Sequence, residues 1–326
     1  MNNELRQSSA RAHANIALIK YWGKRNGPLN LPAVGSISIT LAELYTETQF
    51  SWTVSETDTA ILNDEPDETG RISRFVDLIR RRADIDYSAA ISSVNNFPTG
   101  AGLASSASGF AALTVAGCDA ANLNLSAREL SILARQGSGS AARSIDGGFV
   151  EMFRGVRADG EDAFATPLAD ADDWPLEVVV AITTRARKAI DSTTGMTDTA
   201  TRSDFFEAWV ANADGDLDAA REAIAACDFD ALGALAERSC LKMHGLMLST
   251  GNGLIYWSPA TVATIHEIRK LRADGMPVYF TIDAGPQVKA ICAPGYGEAV
   301  AEKLKTVPGV EAIQRTGLGP AARVIE

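Results

Sequence analysis

Apolar and polar residues alternate through Ser36–Leu44 and again through Thr46–Val54, the period-two pattern of half-buried strands, and these two runs predict a strand pair. Ile72, Phe75, Val76 and Ile79 then recur at helical spacing and mark the buried face of one helix. Tyr87–Val94 patterns as another strand. It leads through a Gly/Ser-rich loop into the alanine-rich stretch Ala107–Ala121, whose helix propensity is high and whose stop falls near Asn122. Ser126 with Glu129 is a capping-box pair opening a helix over Ala127–Arg135, and Gly137 and Gly139 mark its end.

The periodicity fades in Val156–Trp174, which is acidic and flanked by Pro167 and Pro175, so an irregular excursion and a nearby domain boundary are expected there. This divides the chain into 1–180 and 181–326. Beyond it lie an apolar strand over Leu176–Ile182 and a region from Asp204 to Leu248 dominated by helical patterning. Ser258 and Pro259 supply the N-cap and first-turn signals of a helix running to about Ala273. Strands over Val278–Ile282 and Val288–Ala293, a helix over Gly297–Lys305 and a strand over Val310–Arg315 complete a mixed α and β pattern.

Composition narrows the function. The 326 residues are 46% hydrophobic, enough for a substantial core, and carry a net charge of −11. Phosphate backbones are held chiefly by Lys and Arg, so this balance speaks against a nucleic-acid partner, and an anionic substrate must meet a local basic pocket. No window approaches the roughly 18 apolar residues of a membrane span, and the polar start MNNELRQSS has no apolar signal core, which leads to the expectation of a cytoplasmic protein with no membrane partner. Cys118, Cys227, Cys240 and Cys292 form no CxxC pair, and His13, His244 and His266 have no HExxH spacing. Reduced thiols and no transition-metal centre follow, with Mg²⁺ arriving alongside a nucleotide as the expected metal.

Four segments carry chemistry. Asn95–Gly109 reads NNFPTGAGLASSASG between a strand and a helix, where glycines let backbone N–H groups approach a ligand and the helix dipole favours an anion. Ser105 or Ser106 could add a hydroxyl to phosphate or Mg²⁺. The loop lacks the Lys of a Walker A pattern and the third glycine of GxGxxG, and a Gly/Ser turn of purely structural use is the competing reading when it is taken alone. Gly137–Arg143, GSGSAAR, gathers two hydroxyls and a guanidinium suited to bidentate phosphate or carboxylate binding, with a solvated interhelical turn, or a helix-turn-helix over Leu130–Ile145, as the competing readings. Asn15–Arg25, NIALIKYWGKR, sets a basic aromatic cluster after an apolar run. Asp283, in TIDAGP, ends an apolar strand: a turn former by default, or a base in a cleft, its pKa raised by desolvation and lowered by nearby cations.

In this order the segments AxIKYWGKR (17–25), LNLPxxxSISxTL (29–41), NNFPTxAGLASSASGFAAL (95–113), GSGSAxRS (137–144), STxGM (192–196) and DAGP (283–286) resemble the diphosphomevalonate decarboxylase family of the galactokinase, homoserine, mevalonate and phosphomevalonate (GHMP) kinase superfamily. The resemblance implies an α+β fold of two domains, an N-terminal one like ribosomal protein S5 domain 2 and a ferredoxin-like C-terminal one, with the active site between them and a homodimer as the assembly. It implies that ATP is cradled by Asn96, Pro98, Gly100, Gly102, Leu103, Ala104, Ser105 and Ser106, with Ser105 on Mg²⁺. Lys20, Tyr21, Lys24, Ser138, Ser140, Arg143 and Ser192 would hold a phosphorylated mevalonate, Lys188 would sit by the transferred phosphoryl group, and Asp283 would orient or deprotonate the C3 hydroxyl. The implied reaction is ATP-dependent decarboxylation of the 5-diphosphate. A decarboxylase of the 5-phosphate and a small-molecule kinase are its rivals, and a nucleic-acid-binding protein built on Leu130–Ile145 is a remote one. The chain departs from the family pattern at Val34-Gly35 and Gly251–Gly253.

Overall fold

The computed structural model describes residues 6–97, 103–186, 189–251 and 253–326. In chain order the first elements are β1 (Gln7–Ile19), β2 (Lys24–Asn26), β3 (Leu31–Pro32), β4 (Ser36–Thr53), β5 (Thr59–Leu62), β6 (Glu65–Pro66), α1 (Arg71–Ala83), β7 (Ser88–Asn95), α2 (Ser105–Ala120) and α3 (Ala127–Gly137). A 3-10 segment, Gly139–Ser144, leads to β8 (Phe149–Met152), β9 (Ala165–Ala169) and β10 (Glu177–Ile182). Helices α4 (Ser192–Arg202), α5 (Phe206–Ala211), α6 (Ala213–Ala225), α7 (Phe229–Leu248) and α8 (Pro259–Ala273) follow, then β11 (Val278–Thr281), β12 (Val288–Cys292), α9 (Gly297–Leu304), β13 (Ala312–Gly317) and β14 (Arg323–Ile325).

The expected strand pair 36–54 is one strand, β4, of 18 residues. It runs antiparallel to β1 from Ser51 opposite Gln7 to Ile37 opposite Ile19, and the register shifts between His13 and Asn15. Four residues of β4, Leu41–Leu44, bulge there opposite Ala14, so the alternation changes phase in mid-strand and reads in sequence as a break. The two halves of β4 take different second partners, β7 along Thr46–Thr53 and β8 along Ser36–Ile39. This sheet runs β14-β1-β4-β7-β5-β6, with β9 attached through β8.

One face of the sheet is covered by α1, α2 and α3 through Phe50, Trp52, Phe75, Ile79, Phe110 and Leu133. Helix α2 is rich in alanine because it is buried on most sides, and small residues let it lie close on β1 and β4. The other face packs on β10, whose residues divide by parity: Val178, Val180 and Ile182 join Ile16, Leu18 and Ile37 in one core, while Val179 and Ala181 join Ile265, Phe280 and Val288 in another. Burial on both faces explains why β10 is continuously apolar. β10 lies in a second, four-stranded antiparallel sheet ordered β11-β12-β10-β13, and β14 returns to the first sheet beside β1.

The Ser126/Glu129 capping box forms as expected, and Ser258 caps α8 with Thr261 as its reciprocal partner and Pro259 in the first turn. The excursion 156–174 contains β9 and is pinned by buried Arg135, which donates to the carbonyls of Gly160 (2.7 Å) and Ala163. The helix-turn-helix reading of Leu130–Ile145 fails: the second element is a 3-10 segment with Ala141, Ala142, Arg143 and Ser144 buried, so it presents no exposed recognition helix. Cys118, Cys240 and Cys292 are buried free thiols and Cys227 is an exposed one.

Candidate active site

A cleft of about 250 Å³ opens where the 3-10 segment, the N-terminus of α2, the residues after β1, the start of α4 and the β11–β12 turn converge. Ala104, the N-cap residue of α2, takes a left-handed backbone (φ 58°) and makes no side-chain cap. Ala104, Ser105 and Ser106 line the cleft there. A helix start whose N-cap side chain accepts no hydrogen bond, with two hydroxyls beside it, is a donor surface for phosphate oxygens. Ser106 reaches Ser138 at 3.2 Å, and Ser138 reaches Ser140 at 3.3 Å, so the two serine-rich motifs form one continuous row of hydroxyls.

Two glycines make that row possible. A Cβ on Gly137 would strike the Phe110 ring, and one on Gly139 would strike the Tyr21 hydroxyl. Tyr21 is buried (8% exposed), its hydroxyl has no hydrogen-bond partner among the described residues, and burial pushes its pKa up, so it is a neutral donor facing the cleft.

At the floor, Arg143 is 2% exposed and donates to Ser36 Oγ (2.5 Å) and twice to Asn15 Oδ1 (3.1 and 3.3 Å). Asn15 Nδ2 donates in turn to Ser140 O (3.0 Å) and Ser144 Oγ (2.8 Å), which fixes the 3-10 segment. Burial lowers the Arg143 pKa to about 10, still charged at neutral pH. Much of its donor fork is thus engaged by the protein itself, and Arg143 offers a fixed positive charge more than a free clamp.

Asp283 stands opposite, in the turn after β11, with its side chain 24% exposed into the cleft. Lys20 Nζ lies 2.7 Å from Oδ1 and Lys289 Nζ 3.3 Å from Oδ2, and both lysines are 1% exposed. Burial pushes the carboxyl upward, but the two ammonium groups overcome it and hold Asp283 well below the usual carboxylate range. Beneath the turn, Cys240 Sγ (3.6 Å) and His244 Nε2 (3.3 Å) meet the Ile282 carbonyl. Burial and then Lys20 depress His244 to about 3, so it is neutral and donates from Nε2 at physiological pH.

The mouth is looser. Lys24 Nζ reaches Thr193 Oγ1 at 3.3 Å, its pKa lowered by burial and then by Arg71. Arg71 donates to Gly137 O (2.6 Å) and lies over the Phe110 ring (4.6 Å). Ser192 opens α4, capped by Asp191, whose carboxylate accepts from the Thr193 (2.8 Å) and Thr194 (3.1 Å) amides. Trp22 and Met196 give the wall an apolar strip.

The structure therefore brings Lys20, Tyr21, Lys24, Ala104, Ser105, Ser106, Ser138, Ser140, Arg143, Ser192 and Asp283 to one cleft. Two expected residues lie away from its lining. Leu103 turns into the core between the sheets, and the Asn96 amide is engaged by Tyr45 N (2.9 Å) and Glu43 O (2.8 Å). Pro98, Gly100, Gly102 and Lys188 lie outside the described residues. Val34 and Gly35 do not line the cleft: Val34 is buried, and a Cβ on Gly35 would meet Leu217 and the Met152 carbonyl, so this departure is one of packing. The sequence reading missed Asn15, Arg71 and Lys289. Lys289 alone left a signal, a single cation in the apolar strand VKAIC.

Family comparisons join this geometry. Residues 12–165 match the model for the diphosphomevalonate decarboxylase-like N-terminal domain, and 178–315 that for the mevalonate 5-diphosphate decarboxylase C-terminal domain. The chain belongs to the diphosphomevalonate decarboxylase family. It is 36% identical over 328 residues to the diphosphomevalonate decarboxylase of Aspergillus fumigatus, covering 93% of this chain and 81% of that one. It is 33% identical over 287 residues to the phosphomevalonate decarboxylase of Haloferax volcanii, covering 86% and 87%. Two solved structures share 40% identity over 99% of this chain and all of theirs: one of the mevalonate diphosphate decarboxylase from Enterococcus faecalis, concerned with mevalonate-diphosphate-mediated ATP binding (TM-score 0.90), and one of a complex with MVAPP, AMPPCP and magnesium (TM-score 0.92). These likenesses establish the α+β two-domain GHMP fold. Among the described residues no helix is long and apolar enough to cross a membrane, and no group of three His, Cys, Asp or Glu could hold a metal.

Proposed function

We propose that this chain is an ATP-dependent carboxy-lyase that converts mevalonate 5-diphosphate to isopentenyl diphosphate, ADP, phosphate and CO₂. The observation that carries the reading is a carboxylate, Asp283, paired with two lysines and facing the start of α2 and its serines across one cleft. The C3 hydroxyl oxygen of the substrate takes the terminal phosphoryl group of ATP as the bond from that phosphorus to ADP breaks, and the hydroxyl proton leaves with the transferred phosphate oxygens. The C3–O bond then breaks with phosphate as leaving group, and the C1–C2 bonding pair becomes the C2–C3 double bond as CO₂ departs.

The α2 N-terminus with Ser105 and Ser106 is suited to ATP phosphates; the family resemblance would add the loop before them and set Lys188 beside the transferred group. With no cluster of three metal-binding side chains among the described residues, Ser105 and the phosphates would hold Mg²⁺, which would offset the negative charge of the transferring group. Tyr21, Lys24, Ser138, Ser140 and Ser192 would hold the substrate's anionic end, with the Arg143 charge beneath it. Asp283 orients the C3 hydroxyl: a carboxylate held this acidic by two lysines accepts a hydrogen bond readily and a proton poorly, so its contribution is alignment more than basicity.

The deciding assay supplies ATP with mevalonate, its 5-phosphate or its 5-diphosphate and measures ADP, phosphate and CO₂ together. All three products should form in equal amounts and fastest from the diphosphate. Higher efficiency with the 5-phosphate, or ADP without CO₂, overturns the choice. The proposal extends to a cytoplasmic homodimer of two-domain subunits divided near residue 180, supported by the free buried thiols and the break between the two family matches, and sedimentation checks the assembly. The net charge of −11 favours no nucleic-acid partner.

A further inference from the structure

Lys289 lies behind the cleft, outside its lining, and touches it through Asp283. Its neighbours on β12, Val288 and Ala290, point into the second-sheet core, while Lys289 is on the opposite face of the strand, with Ile291, turned toward the first sheet. An ammonium group with 1% of its side chain exposed must be matched by an anion, and the match is Asp283 Oδ2 at 3.3 Å. Lys20, from the other half of the chain, occupies Oδ1. Each carboxylate oxygen therefore has its own cation, and the two come from elements that meet only in the folded molecule.

We propose that Lys289 is a positioning residue for the reaction, which with Lys20 gives each oxygen of the Asp283 carboxylate its own cation and so fixes the orientation of that carboxylate. The inference deepens the decarboxylase reading and rests on it. The groups facing Asp283 are Lys20 from the end of β1, Lys289 from β12, Arg143 from the 3-10 segment, and Cys240 and His244 from α7. Burial pushes the Cys240 thiol up to about 11 and His244 down to about 3, so both are neutral at pH 7, and the three cations set the state of the carboxylate. A single ion pair would leave the carboxylate free to rotate about the bond to Lys20. The second, an ion pair at 3.3 Å without hydrogen-bond geometry, draws Oδ2 toward Lys289 by charge and so restrains the plane, which favours in-line alignment of a tertiary hydroxyl.

The test compares the wild type with Lys289→Gln and Lys289→Arg. A ¹³C-carboxyl titration of the apo enzyme, with the Asp283 signal assigned by its absence in Asp283→Asn, reads the carboxylate without relying on turnover. In the wild type its midpoint should lie below the ordinary value of about 3.9, and in Lys289→Gln it should rise by ~1–3 units. On mevalonate 5-diphosphate, kcat of Lys289→Gln should fall ~10-fold or more with KM for ATP within ~3-fold, and Lys289→Arg should recover part of kcat and all of the low midpoint. An unchanged midpoint and kcat in a folded Gln variant overturn the proposal, as does a lowered melting temperature with both left intact, which would make the pair purely structural. If the Gln variant does not fold, the wild type and the Arg variant decide, and a wild-type midpoint at or above about 3.9 is fatal. Absence of CO₂ from the wild type would defeat the decarboxylase reading while the titration still judged the clamp.

Discussion

The floor and the mouth of the cleft use the same residue types in opposite ways. On the floor, Arg143, Lys20 and Lys289 are at most 2% exposed, and each is paired with Asn15, Ser36 or Asp283. At the mouth, Lys24 and Arg71 have more solvent and neutral partners, the Thr193 hydroxyl, the Gly137 carbonyl and the Phe110 ring. Cations engaged by the protein fix geometry, and their removal strands buried groups. Cations in partial contact with water collect a charged ligand and are screened by salt. Alignment of the reacting hydroxyl belongs to the floor, and capture of the diphosphate to the mouth.

Asp283→Asn tests the contrast most severely. It removes the charge at the centre of the clamp and should lower kcat by ~10²–10³-fold, ADP and CO₂ falling together while ATP still binds. Two buried lysines also lose their anion, so a drop in melting temperature is expected alongside. ADP release at the wild-type rate without CO₂ would place Asp283 after phosphoryl transfer.

Arg143→Gln comes next, with a loss of substrate affinity and a destabilisation of ~1–3 kcal/mol from the orphaned Asn15 and Ser36 oxygens, measured by denaturant titration. Arg143→Lys should restore only part of either. Stability equal to the wild type would show that the floor is not pre-organised by these bonds.

Gly139→Ala brings a Cβ against the Tyr21 hydroxyl. Displacing that donor should raise KM for the substrate ~10-fold with a smaller change in kcat. Lys24→Gln is the mildest at low salt, raising KM a few-fold, and the difference from the wild type should shrink as ionic strength approaches ~1 M. A salt-independent effect would move Lys24 from mouth to floor.

His244 offers a pH test of the floor. Its folded pKa of about 3 lies below its ordinary 6.5, so the unfolded chain binds the proton first. The stability tied to the neutral ring is complete above about 6.5 and declines as pH falls toward 3. His244→Phe should flatten that part of the stability–pH curve.

Most elements were legible because their signals are local. Both caps depend on residues three apart, and the β10 run depends only on its own side chains. The long β4 was misread because its bulge is defined by β1, which the alternation of β4 alone does not contain. The site divides in the same way. Motif residues such as Ser106 and Ser138 were visible as serines beside glycines. The engagement of Arg143 by Asn15 and Ser36 was not, since those partners lie more than a hundred residues away. Arg71 went unnoticed because α1 was read for its apolar face and the cation lies at its start.

The last strand has a consequence for how the molecule is made. β14 supplies the outer neighbour of β1, pairing Arg323 with Arg11 and Ile325 with Ser9, although nearly the whole described chain separates them. A nascent chain emerging from the ribosome can therefore assemble β1, β4 and β7 early, but one edge of β1 stays unpaired until the second sheet has been synthesised. Translation thus leaves the first sheet with an open seam for most of its course, and pausing before residue 323 should lengthen the time that chaperones or aggregation have to reach it.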